Sequence, residues 1–567
     1  MSSKPGLLYV TMQPSPSLPI ERFHDWYNNE HGPLRLRLPF FRNGLRYRAS
    51  DLSSDQLASA KRPEWLAIYD VTDTEELGKP VYTRLRDADV KTSREKETMK
   101  QIKVDREILD LAGEWKSESF EEVETLRGDV ETEGNVLMVV SVKLQLSKAA
   151  EEQVLNWFPS EHIPLVSKSP GWRRTRHFVT SSLDDQHVRT FLTLHEWAPS
   201  NSIGGSEFRQ ASTIEWVQRL NKETAADISI RTYNLHLIFG SAPRHLGDIA
   251  EWSYSNDMTR TFPPTDPTSP FGSAIESYIT TPDGAALPFR LEGSPSPSAP
   301  LIVCINSILT TYPIWDSFVS SFFAHPPNRR YRILRYNPRG RSQHTGTAPV
   351  SIDLLAADAI TLLDALRVPK AACVIGVSLG GITALNTALK HAGRVEAFVS
   401  CDTNARAPPS NAAAWDERIA VAEKEGLTAD GKAVVGERLA EMTVRRWFVG
   451  ESYDGGAMER EAERVKEMVR TNSLEGFRRG VRALYAYDVG GEMAEGKVRG
   501  LFVVGKGDGV LPDTMKKMAD AYRWRGADGK EGGVELKVVD GAGHLPMVEQ
   551  GGAVAKLVQE FLAEVPV

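Results

Sequence analysis

"CVIGVSLGGITA", residues 373–384, passes from an apolar, strand-like run through Gly376-Val377-Ser378-Leu379-Gly380 into a helix-like stretch, "GITALNTALKHA". Glycines two residues before and two residues after Ser378 leave room for a strained strand-to-helix turn that projects the hydroxyl above a sheet. Two readings stand at this point. Ser378 is a nucleophile, or it is an incidental residue of a Gly-rich turn, because a five-residue pattern also arises by chance.

The partners favour the nucleophile. A serine hydroxyl needs a base at neutral pH, and the base needs an acid to orient it. Asp508 follows the apolar run "LFVVGKG", and His544 follows "VELKVVDGAG". Their chain order, Ser then Asp then His, each after a strand-like run, is that of an α/β-hydrolase triad. His544 then takes the Ser378 proton and Asp508 fixes the imidazole tautomer. Taken singly, Asp508 is also a turn former beside Gly509, and His544 a loop histidine. The backbone N–H of Leu379 is one expected oxyanion donor, and the loop "CINSILTTYPIWDSF" offers Ile308 as the second.

Outward from this turn, apolar runs at 300–306, 331–337, 395–402, 499–508 and 534–544 alternate with amphipathic stretches such as "SIDLLAADAITLLDALRV". That alternation predicts a mostly parallel sheet covered on both faces over 273–567. A charged, helix-rich insertion at about 404–497 is long enough for a lid. Residues 243–272, rich in Pro, Thr, Ser and Asp without a period, read as a linker.

The N-terminal part is a repeat. "FHDWYNNEHGPLRLRLPFFRNGLRYR" (23–48) aligns without a gap to "VLNWFPSEHIPLVSKSPGWRRTRHFV" (154–179), pairing Trp26 with Trp157, Glu30 with Glu161 and His31 with His162 at a constant offset of 131 residues. Each copy opens on a strand-like run, holds Trp and His on a helix-like stretch, and returns in strands. "EWLAIYDV" and "RTFLTLHEW" alternate like half-buried strands. The expected units are 1–128 and 129–242, one α+β fold used twice.

A net charge of -7 in 567 residues offers no electrostatic footprint for nucleic acid or an anionic membrane. The N-terminus lacks the order of a signal peptide and no apolar run is long enough to span a bilayer, so a cytoplasmic place is expected. Cys304, Cys373 and Cys401 lie in apolar runs with no metal-ligand spacing, so neither disulfides, a metal nor another cofactor is expected.

Residues from about 275 to 567 resemble the α/β-hydrolase superfamily, and within it the 3-oxoadipate enol-lactonases, in "INSILTTYPIWD", "RYNPRGRS", "LLAADAITLLDALRV", "GVSLGG", "VRRWF", "TNSLEGF" and "GAGHLPMVEQ". The resemblance implies an enzyme that cleaves an ester or lactone of a small carboxylated or aromatic-derived compound, as in aromatic catabolism. It implies Ser378, Asp508 and His544 as the triad and Trp447 as a lid residue near the pocket, with Asn306 and Ser307 as lining residues. This chain has Leu309 where that family has Gly, and in the lid, where an Arg is expected, it has Tyr485, a further candidate for the substrate pocket. Arg478, Arg479 and Arg482 form either a carboxylate clamp or a solvated helix face.

The repeat resembles tandem EthD-like domains of the dimeric α+β barrel superfamily, ferredoxin-like units that pair sheet to sheet. Two copies in one chain imply an internal barrel, with an oligomer through these domains as a further expectation. His31 and His162 are then acids or bases near a barrel pocket, or anchors of the helix end. The functional alternatives are a bifunctional isomerase or cyclase with its main chemistry in the N-terminal barrel, and an N-terminal module for assembly only.

Overall fold

The computed structural model describes residues 3–52, 62–125, 134–144, 152, 155–156, 158–184, 189–212, 227–254, 259–526 and 529–565. The chain divides into two compact units, Met1–Pro243 and Arg244–Val567.

In the first unit the strands are β1 (Gly6–Pro14), β2 (Leu45–Ala49), β3 (Trp65–Val71), β4 (Ile102–Lys116), β5 (Val136–Leu144), β6 (Trp172–Thr180), β7 (Arg189–Trp197) and β8 (Asp227–Ile238). Among the described residues they close a barrel in the order β1-β3-β2-β8-β5-β7-β6-β4. The first repeat supplies β4-β1-β3-β2 and the second supplies β8-β5-β7-β6, the same order twice. Antiparallel pairs β2/β8 and β4/β6 join them. The edge strands of each copy are therefore taken up by the other copy, within one chain.

Both copies also place a π-helical turn at the same offset, Tyr27–His31 and Phe158–His162. The expected equivalence of Trp26 with Trp157, and the boundary at 128/129, lie outside the described residues. β3 and β7 differ from the half-buried strands expected. Both are buried almost throughout, because Leu66, Ile68, Leu192 and Leu194 fill the barrel while Trp65, Ala67 and Tyr69 pack under the first repeat's helices. An eight-stranded barrel is just wide enough for side chains to fill it, so the inner face of its strands is dry.

The second unit is built on a ten-stranded sheet among the described residues, ordered β22-β19-β16-β15-β13-β14-β12-β11-β10-β9. Its strands are β9 (Ser253–Tyr254), β10 (Arg260–Phe262), β11 (Ala274–Thr280), β12 (Ala286–Gly293), β13 (Leu301–Ile305), β14 (Arg332–Tyr336), β15 (Cys373–Val377), β16 (Ala397–Cys401), β19 (Arg499–Gly505) and β22 (Glu535–Val539). Two small hairpins lie outside it, β17 (Thr428–Ala429) with β18 (Lys432–Ala433), and β20 (Arg523–Arg525) with β21 (Glu531–Gly533). The stretch expected as a linker, 243–272, instead contributes β9 and β10 to the sheet edge. Strands of two and three residues are too short to show a period.

β13 pairs in parallel with β14 on one side and β15 on the other, so the chain reverses its direction of travel between β13 and β15. A crevice opens outside the carboxyl ends of strands at such a switch point. Arg339 of "RYNPRGRS" stiffens the unit, donating from Nε to Asp358 at 2.6 Å and from Nη2 to Asp283 at 2.6 Å. Between β16 and β19 lie helices Asn411–Glu425, Glu437–Trp447, Glu459–Arg470 and Leu474–Gly480. No helix among the described residues is long and apolar enough to cross a membrane.

Candidate active site

The site is assembled from strand ends. Parallel register sets Ile305 beside Gly376, Val377 beside Cys401, Cys401 beside Val503 and Gly505 beside Val539. Whatever follows β13, β15, β16, β19 and β22 is therefore delivered to one edge. Ser378 follows β15 with φ 58° and ψ -117°, a left-handed conformation that costs a side-chain-bearing residue about 1–3 kcal/mol. Two glycines make the turn geometrically possible. A Cβ on Gly376 would stand 1.9 Å from the Gly380 carbonyl oxygen, and one on Gly380 would stand 2.1 Å from that of Ile305. The second approach seats the start of helix Leu379–Lys390 on the end of β13. Leu379 opens that helix, so its N–H is one of the four without an intrahelical acceptor.

His544 Nδ1 lies 2.7 Å from Asp508 Oδ2, with both side chains mostly buried. With Asp508 ionised, Nδ1–H donates, which leaves Nε2 as the basic nitrogen. The His544 ring is stacked on Trp447 at 5.8 Å between centroids, and the His544 N–H donates to the Trp447 carbonyl at 2.7 Å. Trp447 therefore orients the histidine by ring contact and backbone hydrogen bond together.

Two further residues complete this corner, Glu549, which the sequence did not single out, and Asp402, which it offers as the alternative acid. Glu549, in "GAGHLPMVEQ", accepts from the N–H of Gly543 at 2.6 Å and of Val449 at 3.0 Å and from the Ser452 hydroxyl at 2.5 Å. It ties the histidine loop to the insertion, and its place in a motif that already stood out was the only signal for it. Asp402 follows β16 with φ 46° and accepts from the Gly505 N–H at 2.9 Å. Ligand atoms of Asp402, Asp508 and His544 all fall within 4.8 Å of one another. Burial first, then the charge of Asp508, hold the Asp402 carboxyl well above the usual carboxylate range.

Asp402 thus keeps its proton in the folded state at pH values where the unfolded chain has lost it. The native state then binds more protons, so stability falls as pH rises from the ordinary carboxylate value toward the raised one. Asp402→Asn keeps the acceptor for Gly505 and removes this dependence. Thermal melts from pH 5 to pH 9 should show the variant gaining on the native protein as pH rises. A constant difference across that range would mean that Asp402 is ionised.

The remaining residues divide. Ile308 lies on the loop after β13 that Gly380 approaches, the place required of a second oxyanion donor. Leu309 holds φ 67°, so the backbone keeps a conformation that favours Gly although the residue is Leu. Asn306 is buried and accepts from the Trp315 indole N–H at 3.0 Å, so it holds the loop from behind. Ser307 is likewise buried. Tyr485 donates its hydroxyl to Asp416 on helix Asn411–Glu425, and among the described residues no hydrogen bond joins it to Ser378, Asp508 or His544. In the first unit, His31 Nδ1 lies 3.2 Å from Glu95, whose carboxylate also accepts from the Trp26 indole N–H at 3.3 Å. His162 lies 5.3 Å from His195 between ring centroids.

Residues 302–557 match the model of the Alpha/beta hydrolase family. The 3-oxoadipate enol-lactonase 1 of Acinetobacter baylyi is 27% identical over 237 residues, 42% of this chain and 81% of that protein. Among solved structures, a hydrolase from Pseudomonas aeruginosa PA01 is 30% identical and aligns over 51% of this chain and 98% of its own, with a TM-score of 0.42. The enol-lactonase from Burkholderia xenovorans LB400 is 28% identical over 51% of this chain and 100% of its own, with a TM-score of 0.42.

Proposed function

We propose that the α/β hydrolase formed by the C-terminal unit is a serine hydrolase that opens an ester or lactone of a small molecule, in the manner of an enol-lactonase. The observation that carries this reading is the 2.7 Å contact of His544 with Asp508 at the same sheet edge as the strained Ser378. In the acylation step His544 Nε2 accepts the Ser378 proton as Oγ bonds to the carbonyl carbon. The carbonyl oxygen takes the negative charge before the N–H groups of Leu379 and Ile308. Collapse breaks the ester C–O bond, and the proton on Nε2 passes to the leaving oxygen. Water repeats the sequence to free the acid and restore Ser378. The helical insertion acts as a lid, supported by Trp447 reaching from it to the His544 ring. A substrate of aromatic origin is favoured by similarity to the 3-oxoadipate enol-lactonase. The three cysteines are buried and unpaired, which suits the reducing cytoplasm.

The test is fluorophosphonate labelling followed by a panel of aryl esters and enol-lactones. Stoichiometric labelling at Ser378 with turnover of at least one panel member is expected, and a folded protein that takes no label would refute the reading.

A second chemistry in the first unit, an isomerase or cyclase on an EthD-like barrel, is favoured by one asymmetry. The Tyr27 and Tyr69 hydroxyls are 3.1 Å apart, and the Tyr27 and His31 ring centroids 5.1 Å apart, whereas Phe158 occupies the position of Tyr27 in the second copy. Burial first, then Arg35, lower His31 to about 4, so its ring is a neutral base. His31→Gln should abolish lactone isomerisation while His162→Gln does not. Equal loss of stability in both variants, with no isomerisation to lose, would leave an assembly role.

A further inference from the structure

Glu549 ends the short helix Pro546–Glu549 and is only 6% exposed, yet no lysine, arginine or histidine among the described residues forms an ion pair with it. Its carboxylate is met by hydrogen-bond donors, and these come from two parts of the chain. Oε2 accepts from the Gly543 N–H at 2.6 Å, on the loop that carries His544. Oε1 accepts from the Val449 N–H at 3.0 Å and the Ser452 hydroxyl at 2.5 Å, both in the helical insertion. One oxygen therefore faces the histidine loop and the other the insertion, at the fixed separation of a planar carboxylate. A buried carboxylate without a counter-ion is costly, and a neutral side chain could join two loops without that cost.

The histidine loop is confined on both sides. A Cβ on Gly543 would stand 2.4 Å from the Trp447 carbonyl oxygen, which also accepts the His544 N–H at 2.7 Å. A Cβ on Gly505, at the end of β19, would stand 1.9 Å from the Gly543 carbonyl oxygen. The loop thus passes between β19 and the insertion with no room for a side chain at Gly543. Within the insertion the helices brace one another, Trp415 edge-on to Phe477, Lys466 between Glu437 and Glu441, and Arg478 on Glu423. A displacement of any of these helices is passed to Val449 and Ser452.

We propose that Glu549 is a positioning residue through which the seating of the helical insertion governs the placement of His544. With Val449 and Ser452 on Oε1, Oε2 holds Gly543, and His544 stands where it can take the Ser378 proton. With the insertion displaced, the carboxylate turns to water and its hold on Gly543 is lost. No hydrogen bond joins Glu549 to Ser378, Asp508 or the His544 ring among the described residues, so it acts through the loop backbone. The role rests on the serine hydrolase reading above. A misplacement of about 1 Å at a catalytic group costs about 100-fold in rate, which makes one hydrogen bond beside the base sufficient for such control.

The experiment follows turnover of 4-nitrophenyl acetate and the second-order rate of fluorophosphonate labelling of Ser378 on the full chain. Glu549→Gln keeps the size of the side chain but turns an NH2 toward a donor. Its kcat and its labelling rate should fall together by about 10- to 100-fold with KM unchanged. The label should still reach one per chain, which separates slower sites from fewer folded ones. Ser452→Ala removes a donor on the insertion side alone and should lower the same two rates by about 3- to 10-fold. In the double variant the Ser452 step should vanish, because both residues act through one contact.

Native rates in folded Glu549→Gln would overturn the proposal. So would native rates in Ser452→Ala, the variant that decides if Glu549→Gln does not fold. Additive losses in the double variant would overturn the coupling and leave Glu549 a support of the histidine loop alone. Failure of the hydrolase reading itself looks different, because the native protein would then take no label at Ser378 and cleave no ester.

Discussion

Ser378→Ala lowers kcat for any ester or lactone that the native protein cleaves by about four to six orders of magnitude, with the fold retained. The size follows from what the hydroxyl does. It forms the bond to carbon, and without it the oxyanion donors and the histidine can assist only a poorly placed water. The fold survives because Ser378 is a part-exposed residue, and Ala fits the same space at the same backbone angles. The measurement is single-turnover kinetics beside circular dichroism and a thermal melt. A folded variant that retains a tenth of the native kcat would remove Ser378 from the mechanism.

Asp508→Asn should lower kcat by about four orders of magnitude with little change in KM. The side chain is isosteric, so the 2.7 Å contact with His544 Nδ1 survives in some form. An amide presenting its NH2 to Nδ1 makes that nitrogen the acceptor and puts the proton on Nε2, where it cannot take the one from Ser378. Asp402 makes this prediction sharper. A second carboxyl already lies within 4.8 Å of the histidine, but burial and the charge of Asp508 favour its protonated form, which cannot replace an anion. Loss of only a few-fold would show that Asp402 ionises once Asp508 is neutral. Asp402→Asn added to Asp508→Asn would then bring the full loss.

The place of the candidate triad at one sheet edge was legible in the sequence because each member stands next to a short apolar run, and parallel strands deliver whatever follows them to one edge. The doubled N-terminal unit was legible because an ungapped alignment at one offset survives divergence. Its closure was an expectation from resemblance alone, since whether β2 pairs with β8 of the same chain or of another depends on hydrogen bonds between segments nearly 200 residues apart. The sequences of β3 and β7 alternate, which by itself predicts half-buried strands. Burial of the second face came from helices that no local pattern announces.

Sequence by itself determined where the candidate triad stands in the chain, because each member is local to a strand end: Ser378 between its glycines, Asp508 and His544 after their strands. Only the tertiary structure decided the arginines. Arg478 and Arg446 are alike in the sequence, both basic residues of helical segments in the insertion. What separates them is that Arg478 meets Glu423, while Arg446 meets the ring of Trp415. A charge acquires its function from its neighbours across the fold, through interactions that fall off within a few ångströms and bear no relation to distance along the chain.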